Sequence, residues 1–334
     1  MQNIINGLPI AAVILLLAVG FAFLVKGADF FVEGSSSIAK KLKVPPIIIG
    51  LTIVAMGTSL PETAVSVTAS LVQNNELAVS NVVGSNIFNL MFVIGVCSIL
   101  TPIMVQKATV VRDIPLSLGC ALLLLVLGIS GLGDKAGMTL GHADGIIFLV
   151  VFAGYIFTMV RSAMKARAAG QKVEIEGVEE CDNMKELSYG KSILFLIVGA
   201  AAIAFGGDLT VDTASRIAIE LGMSQTLVGL TIVSIGTSLP ELVTSVVAAR
   251  KNEVDMAVGN AVGSNIFNIL MVLGISSAIS PVALIRENLI DIVLLMVFSV
   301  MVWIFAGTRK KIERKEGIIM VVVYLVYCAY IIAR

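Results

Sequence analysis

The sequence predicts an all-α integral membrane protein of ten transmembrane helices, arranged as two inverted five-helix repeats with interrupted helices at the centre. Three observations predict it. The chain is 57% hydrophobic and only 14% charged, where ordinary soluble domains carry about 25% charged residues, and its mean hydropathy is +1.00. A stretch of the first half returns in the second at a constant offset. Lysines and arginines gather on alternate connections between the apolar runs.

The elements follow in order. Residues 9–25 form the first apolar run. No basic segment precedes it and no small-residue cleavage site follows, so it reads as a transmembrane helix and not a signal peptide. Lys26, Asp29 and Glu33 come next at helical spacing, then a basic turn at Lys40, Lys41 and Lys43. Runs at 44–71, 77–100, 114–129 and 146–160 complete a first half, 1–160. Residues 161–190 change to mixed charge without sustained apolar periodicity and read as a solvated linker. Its acidic residues Glu174, Glu176, Glu179, Glu180 and Asp182 lack the alternating ligands and turn glycine of a calcium-binding helix–loop–helix. The second half, 191–334, carries runs at 192–205, 217–249, 256–279, 290–306 and 318–332.

The duplication is explicit. Adding 179 to a first-half number carries Asp29 to Asp208, Glu62 to Glu241, Asn89 to Asn268 and Pro102 to Pro281, and 34 of those 74 ungapped positions are identical. Five spans is an odd number, so the two halves insert with opposite orientation. The charges agree. With the N-terminus outside, the inside connections hold 18 Lys and Arg and the outside ones hold 4, with Lys26 near a span end left over, the asymmetry expected of cytoplasmic loops. The linker is then cytoplasmic, and the expected location is a plasma or inner membrane of bacterial type. Inverted repeats with paired broken helices point to a secondary transporter whose site lies at the midplane.

The most informative stretch occurs twice. Residues 50–62 end Gly57-Thr58-Ser59-Leu60-Pro61-Glu62, and residues 229–241 end Gly236-Thr237-Ser238-Leu239-Pro240-Glu241. Glycine and proline loosen a helix, and proline frees the carbonyl four residues before it. A freed carbonyl, two hydroxyls and a carboxylate within one turn are oxygen ligands, expensive inside a membrane unless they bind something. The pattern points to a cation site. The remaining chemistry is thin: Cys97, Cys120, Cys181 and Cys328 have no CxxC spacing, and His142 is the lone histidine. No nucleotide motif, nucleophile elbow or metal-catalysis constellation is present, so neither an enzyme nor a cofactor is expected.

Two blocks, Gly57–Glu62 with its copy and Gly84-Ser85-Asn86-Ile87-Phe88-Asn89 with Gly263-Ser264-Asn265-Ile266-Phe267-Asn268, carry a family resemblance. They resemble the alpha repeats of the sodium/calcium exchangers within the cation/calcium exchanger superfamily, and the likeness covers both halves outside the linker. It implies antiport of Ca²⁺ against Na⁺, with Thr58, Ser59, Glu62, Thr237, Ser238 and Glu241 as metal ligands. It also implies Ser85, Asn89, Ser264 and Asn268, together with the backbone carbonyls of Ala55 and Ser234. One departure matters. Some members have an aspartate where this chain has Asn268, and potassium-dependent relatives need a carboxylate there, so two carboxylates remain and potassium co-transport is not expected. Proton/calcium exchangers of the superfamily carry different motif wording.

The residues support the same chemistry on their own. Calcium takes six to eight oxygens at roughly 2.3–2.6 Å in an irregular shell, and two glutamates neutralise one such ion. The same oxygens, redistributed, hold Na⁺, and an empty pair of carboxylates is unfavourable at low dielectric. The partners expected are Ca²⁺, Na⁺ and the lipid bilayer, with no nucleic acid and a monomer as the working unit. Related antiport coupled to H⁺ or K⁺, and a passive cation channel, stay open as alternatives. Channels draw their ligand ring from oligomeric symmetry, whereas duplication in one chain gives a closed two-fold site and favours alternating access. Elsewhere in the spans, Ser66, Ser70, Ser98, Ser245 and Ser277 read as packing residues. Asn81, Asn86, Asn260 and Asn265 read as interhelical hydrogen-bond formers, and Asp29 and Asp208 as caps or interfacial groups.

Overall fold

The computed structural model describes residue 5 and residues 7–71, 76–130, 138–168, 187–223, 232 and 234–333. Its first long helix, α1 (Ile10–Leu42), runs for 33 residues, about 50 Å at 1.5 Å per residue. It does not stop near residue 25. Lys26 and Asp29, one turn apart and 3.6 Å from each other, are carried within the helix. The basic residues beyond close it: Lys40 and Lys41 occupy the last turn, and Lys43 takes a left-handed φ of 55° as C-cap, its N–H donating to Lys40 O at 3.1 Å.

A seven-residue spacing explains what α1 packs on. Gly20, Gly27 and Gly34 share one face, and α7 (Tyr189–Glu220) meets them with Gly199 and Gly206. A Cβ added at Gly27 would lie 2.9 Å from Ala202 Cβ and from the Ile203 backbone nitrogen, and one at Gly206 would lie 2.7 Å from the Leu24 nitrogen. Small residues here let two backbones touch. Asp29 and Asp208 therefore lie inside long helices, not at caps, because neither helix ends where its apolar run does.

The broken element is α2 (Pro46–Thr58) followed by α3 (Leu60–Leu71), bent by 49°. The bend falls on Ser59, at φ −85° and ψ 14°, where Pro61 has no N–H to offer the Gly57 carbonyl. Residues Gly50–Val54 of α2 form a wider π-helical turn. There the Ala55 N–H reaches back to Gly50 O and skips Leu51, whose carbonyl accepts from the Tyr155 hydroxyl at 2.9 Å. Tyr155 belongs to α6 (His142–Ala168).

The other elements are α4 (Ala78–Leu100), α5 (Thr109–Ser130), α8 (Ser234–Gly236), α9 (Leu239–Arg250), α10 (Val254–Ile279), α11 (Arg286–Arg309) and α12 (Arg314–Ala333). Four two-residue strands pair across the halves. β1 (Ile103–Met104) runs antiparallel to β4 (Lys311–Ile312), and β2 (Thr139–Leu140) to β3 (Val282–Ala283). The centre of the protein is α4 and α10: 78% of the most apolar window of each is buried inside the protein, against 22% for α1 and α12. Each central helix contains a π-helical turn, Phe88–Val93 in α4 and Asn268–Val272 in α10.

Among the described residues, eight helices are long and apolar enough to cross a membrane, and the bent α2–α3 pair makes nine. The expected run 217–249 crosses residues 224–231 and 233, which lie outside the described residues, and its first four residues belong to α7, which gives way to a turn with Gly222 at φ +91°. The expected linker start at 161 falls within a helix. Helix α6 continues to Ala168, so Arg161, Lys165 and Arg167 sit on its exposed last turns, where cations suit a helix C-terminus. Cys181 and the acidic residues of the linker lie outside the described residues.

Candidate cation site

Glu62 and Glu241 stand in the first turns of α3 and α9, directly after the two breaks, and both are fully buried. The breaks turn each carboxylate towards the opposite half. Ser59 Oγ donates to Glu241 Oε1 at 2.8 Å, and Ser238 Oγ donates to Glu62 Oε1 at 3.1 Å. From the central helices, Ser264 Oγ donates to Glu241 Oε1 at 3.3 Å, and Ser85 Oγ lies 2.9 Å from Ser238 Oγ. Six of the expected residues thus fall into two hydrogen-bonded groups of three, Ser59–Glu241–Ser264 and Ser238–Glu62–Ser85, each spanning both halves.

The threonines are held from behind. Thr58 Oγ1 donates to Asn260 Oδ1 at 3.0 Å and lies 3.1 Å from Val54 O, while Thr237 Oγ1 donates to Asn81 Oδ1 at 3.3 Å. The two asparagines also grip the glutamate backbones: Asn81 Nδ2 donates to Glu62 O at 3.4 Å and Asn260 Nδ2 to Glu241 O at 3.3 Å. Both amides reach a serine as well, Ser66 Oγ and Ser245 Oγ, each at 3.0 Å. Ser66 and Ser245 therefore accept hydrogen bonds and do more than pack. Ser98 and Ser277 bond back to their own helix, at Ile94 O and Leu273 O, as packing residues do.

Asn89 and Asn268 lie four residues beyond Ser85 and Ser264, one turn along the same helix face, and both are fully buried. Asn89 Nδ2 donates to Asn265 Oδ1 at 3.3 Å and Asn268 Nδ2 to Asn86 Oδ1 at 3.1 Å. Each of these contacts has its counterpart 179 residues along the chain. The carbonyl of Ala55 accepts from the Ser59 N–H at 3.1 Å. Ser234 opens α8, and its side chain lies outside the described residues.

At this site four buried oxygens have no hydrogen-bond partner among the described residues: Glu62 Oε2, Glu241 Oε2, Asn89 Oδ1 and Asn268 Oδ1. Neither glutamate makes an ion pair among the described residues. A buried acceptor left unmatched costs about 1–3 kcal/mol, more when charged, and a buried carboxylate without a counter-charge is costlier still. A hard cation bound by these oxygens removes both costs. The π-helical turns belong to the same arrangement, since a π turn displaces a helix from its regular phase and recurs at functional sites.

Sequence reasoning missed two kinds of residue. Asn81 and Asn260 were legible as hydrogen-bond formers, but not as the link between one half's glutamate backbone and the other half's threonine. Tyr155 had no signal, because an aromatic in an apolar span is ordinarily packing.

Comparison with known proteins follows the same lines. The family described as sodium/calcium exchanger protein matches residues 12–161 and 191–333. The putative antiporter CaxA of Alkalimonas amylolytica is 37% identical over 314 residues, covering 92% of this chain and 95% of that protein. The sodium/calcium exchanger MaX1 of Methanosarcina acetivorans is 34% identical over 337 residues, covering 94% and 96%. Among solved structures, the sodium-calcium exchanger NCX_Mj soaked with Na⁺ and Sr²⁺ superposes with a TM-score of 0.80 at 31% identity, covering 96% of this chain and 99% of that one.

Proposed function

The chain belongs to the sodium/calcium exchanger family, a family of multi-pass membrane proteins, and we propose that it exchanges Ca²⁺ for Na⁺ by alternating access around Glu62 and Glu241. One observation carries the reading: two buried carboxylates from opposite halves face one another's serines, each with an oxygen that no group among the described residues satisfies. Ca²⁺ takes both charges. Na⁺ ions occupy the same oxygens singly, so the two cargoes exclude one another. Thr58, Thr237, Ser59, Ser238, Ser85, Ser264, Asn89 and Asn268, with the carbonyls of Ala55 and Ser234, complete the neutral part of the shell.

In this reading the ten spans form two five-helix halves of opposite orientation, 1–160 and 191–334, joined by a cytoplasmic linker, with the N-terminus outside. The contacts paired at a 179-residue offset and the 18-to-4 charge asymmetry support it. A single chain supplies the whole ligand set, which supports a monomer as the working unit. The ions are cargo, and no resident cofactor takes part.

Radiolabelled Ca²⁺ uptake into proteoliposomes tests the proposal. Uptake is expected only with an outward Na⁺ gradient. Glu62→Gln and Glu241→Gln, which keep the shape and lose the charge, abolish it at matched protein level. Uptake indifferent to the gradient, or wild-type rates in either variant, would refute the assignment.

A further inference from the structure

At the seam between the two central helices, four asparagines form a closed set. Asn86 Nδ2 donates to the backbone carbonyl of Asn265 at 3.1 Å, and Asn265 Nδ2 returns the bond to the backbone carbonyl of Asn86, also at 3.1 Å. The outer pair completes the set, with Asn268 Nδ2 donating to Asn86 Oδ1 at 3.1 Å and Asn89 Nδ2 to Asn265 Oδ1 at 3.3 Å. All four residues are buried.

The direction of every bond follows from the backbone. A carbonyl oxygen can only accept. The group that Asn86 presents to Asn265 O must therefore be its NH₂, which leaves its Oδ1 facing Asn268. Asn268 must answer with its own NH₂, and its Oδ1 is left pointing elsewhere. The same logic runs from Asn86 O through Asn265 to Asn89. The oxygens left over, Asn89 Oδ1 and Asn268 Oδ1, are the two side-chain amide oxygens that are buried without partners among the described residues.

We propose that Asn86 and Asn265 are positioning residues that set the polarity of Asn89 and Asn268, so that each turns its oxygen, and not its NH₂, to the transported cation. An amide is nearly the same shape either way round, and packing alone does not select an end. Without the brace, the negative charges of Glu62 and Glu241 favour the flipped form, with NH₂ towards the carboxylates. That form must turn back before a cation binds. The inference rests on the reading of Asn89 and Asn268 as ligands.

The test uses initial rates of Na⁺-driven Ca²⁺ uptake by the full chain in proteoliposomes. Asn86→Ala is expected to raise the KM for Ca²⁺ on the order of ten-fold, with a smaller change in kcat. The deciding arm repeats the substitution in an Asn268→Asp background. A carboxylate has oxygen at both ends and needs no orienting, so there Asn86→Ala leaves KM unchanged or lowers it. This non-additivity separates positioning from a general packing defect. An equal rise of KM in both backgrounds would overturn the proposal. Asn268→Ala serves as the control for the ligand reading itself: a wild-type KM there removes that reading, and the brace with it. Should Asn86→Ala fail to insert, Asn86→Leu, which fills a similar volume, and the counterpart comparison of Asn265→Ala with and without Asn89→Asp apply the same criterion.

Discussion

At the residue scale, Glu62 and Glu241 owe their role to what surrounds them more than to their charge. Each gives one oxygen to serine hydroxyls and keeps the other unmatched at full burial. The repeated Gly-Thr-Ser-Leu-Pro-Glu stood out in the sequence because polar oxygens inside apolar runs are costly without a ligand, and the structure buries both of its glutamates. The partners of those oxygens were not legible. Thr58 meets Asn260, 202 positions away, and no local pattern states a contact of that separation. Asn268 carries a further consequence. With an amide there, the proposed site holds two carboxylates, and a potassium ion would have no third charge to join. Ca²⁺ transport is expected to proceed at an unchanged initial rate when choline replaces K⁺ on both sides of the membrane; a collapse of the rate would make potassium a co-substrate.

At the scale of elements, the breaks at Ser59 and Ser238 followed from glycine and proline, which leave a mark in the sequence. The π-helical turns at Gly50–Val54, Phe88–Val93 and Asn268–Val272 did not, since no residue type announces a π turn. Helix ends in α1 and α7 were also underestimated, because Lys26, Asp29 and Asp208 end the apolar run without ending the helix. Tyr155 shows what such a turn requires. Its hydroxyl satisfies the Leu51 carbonyl that the π turn of α2 leaves unpaired. Tyr155→Phe keeps the ring and strips that partner, so it is expected to destabilise the protein by about 1–3 kcal/mol. A thermal melt of the purified protein reads this as a lowered Tm, and an unchanged Tm would mean that the carbonyl finds another donor.

At the scale of the whole molecule, the duplicated sequence becomes a duplicated set of contacts that cross between the halves. Ser59 reaches Glu241 as Ser238 reaches Glu62, and Asn86 reaches Asn265 as Asn265 reaches Asn86. The likeness is not complete. Lys251 lies 3.4 Å from Asp29, and Ser36 donates to Glu253, whereas Val72 and Asn74 stand at the counterpart positions in the sequence. The two ends of the protein are therefore chemically distinct, although the centre is nearly symmetric. The proposed site, with its ligands drawn from a single chain and its carboxylates costly to leave empty, suits exchange better than conduction. The most direct test loads proteoliposomes with radiolabelled Ca²⁺ and dilutes them into choline, Na⁺ or unlabelled Ca²⁺. Exchange around one shared site predicts retention of the label in choline and rapid release in both Na⁺ and unlabelled Ca²⁺. Release in choline as fast as in Na⁺ would contradict it, because the Ca²⁺ would then be crossing without a counter-ion.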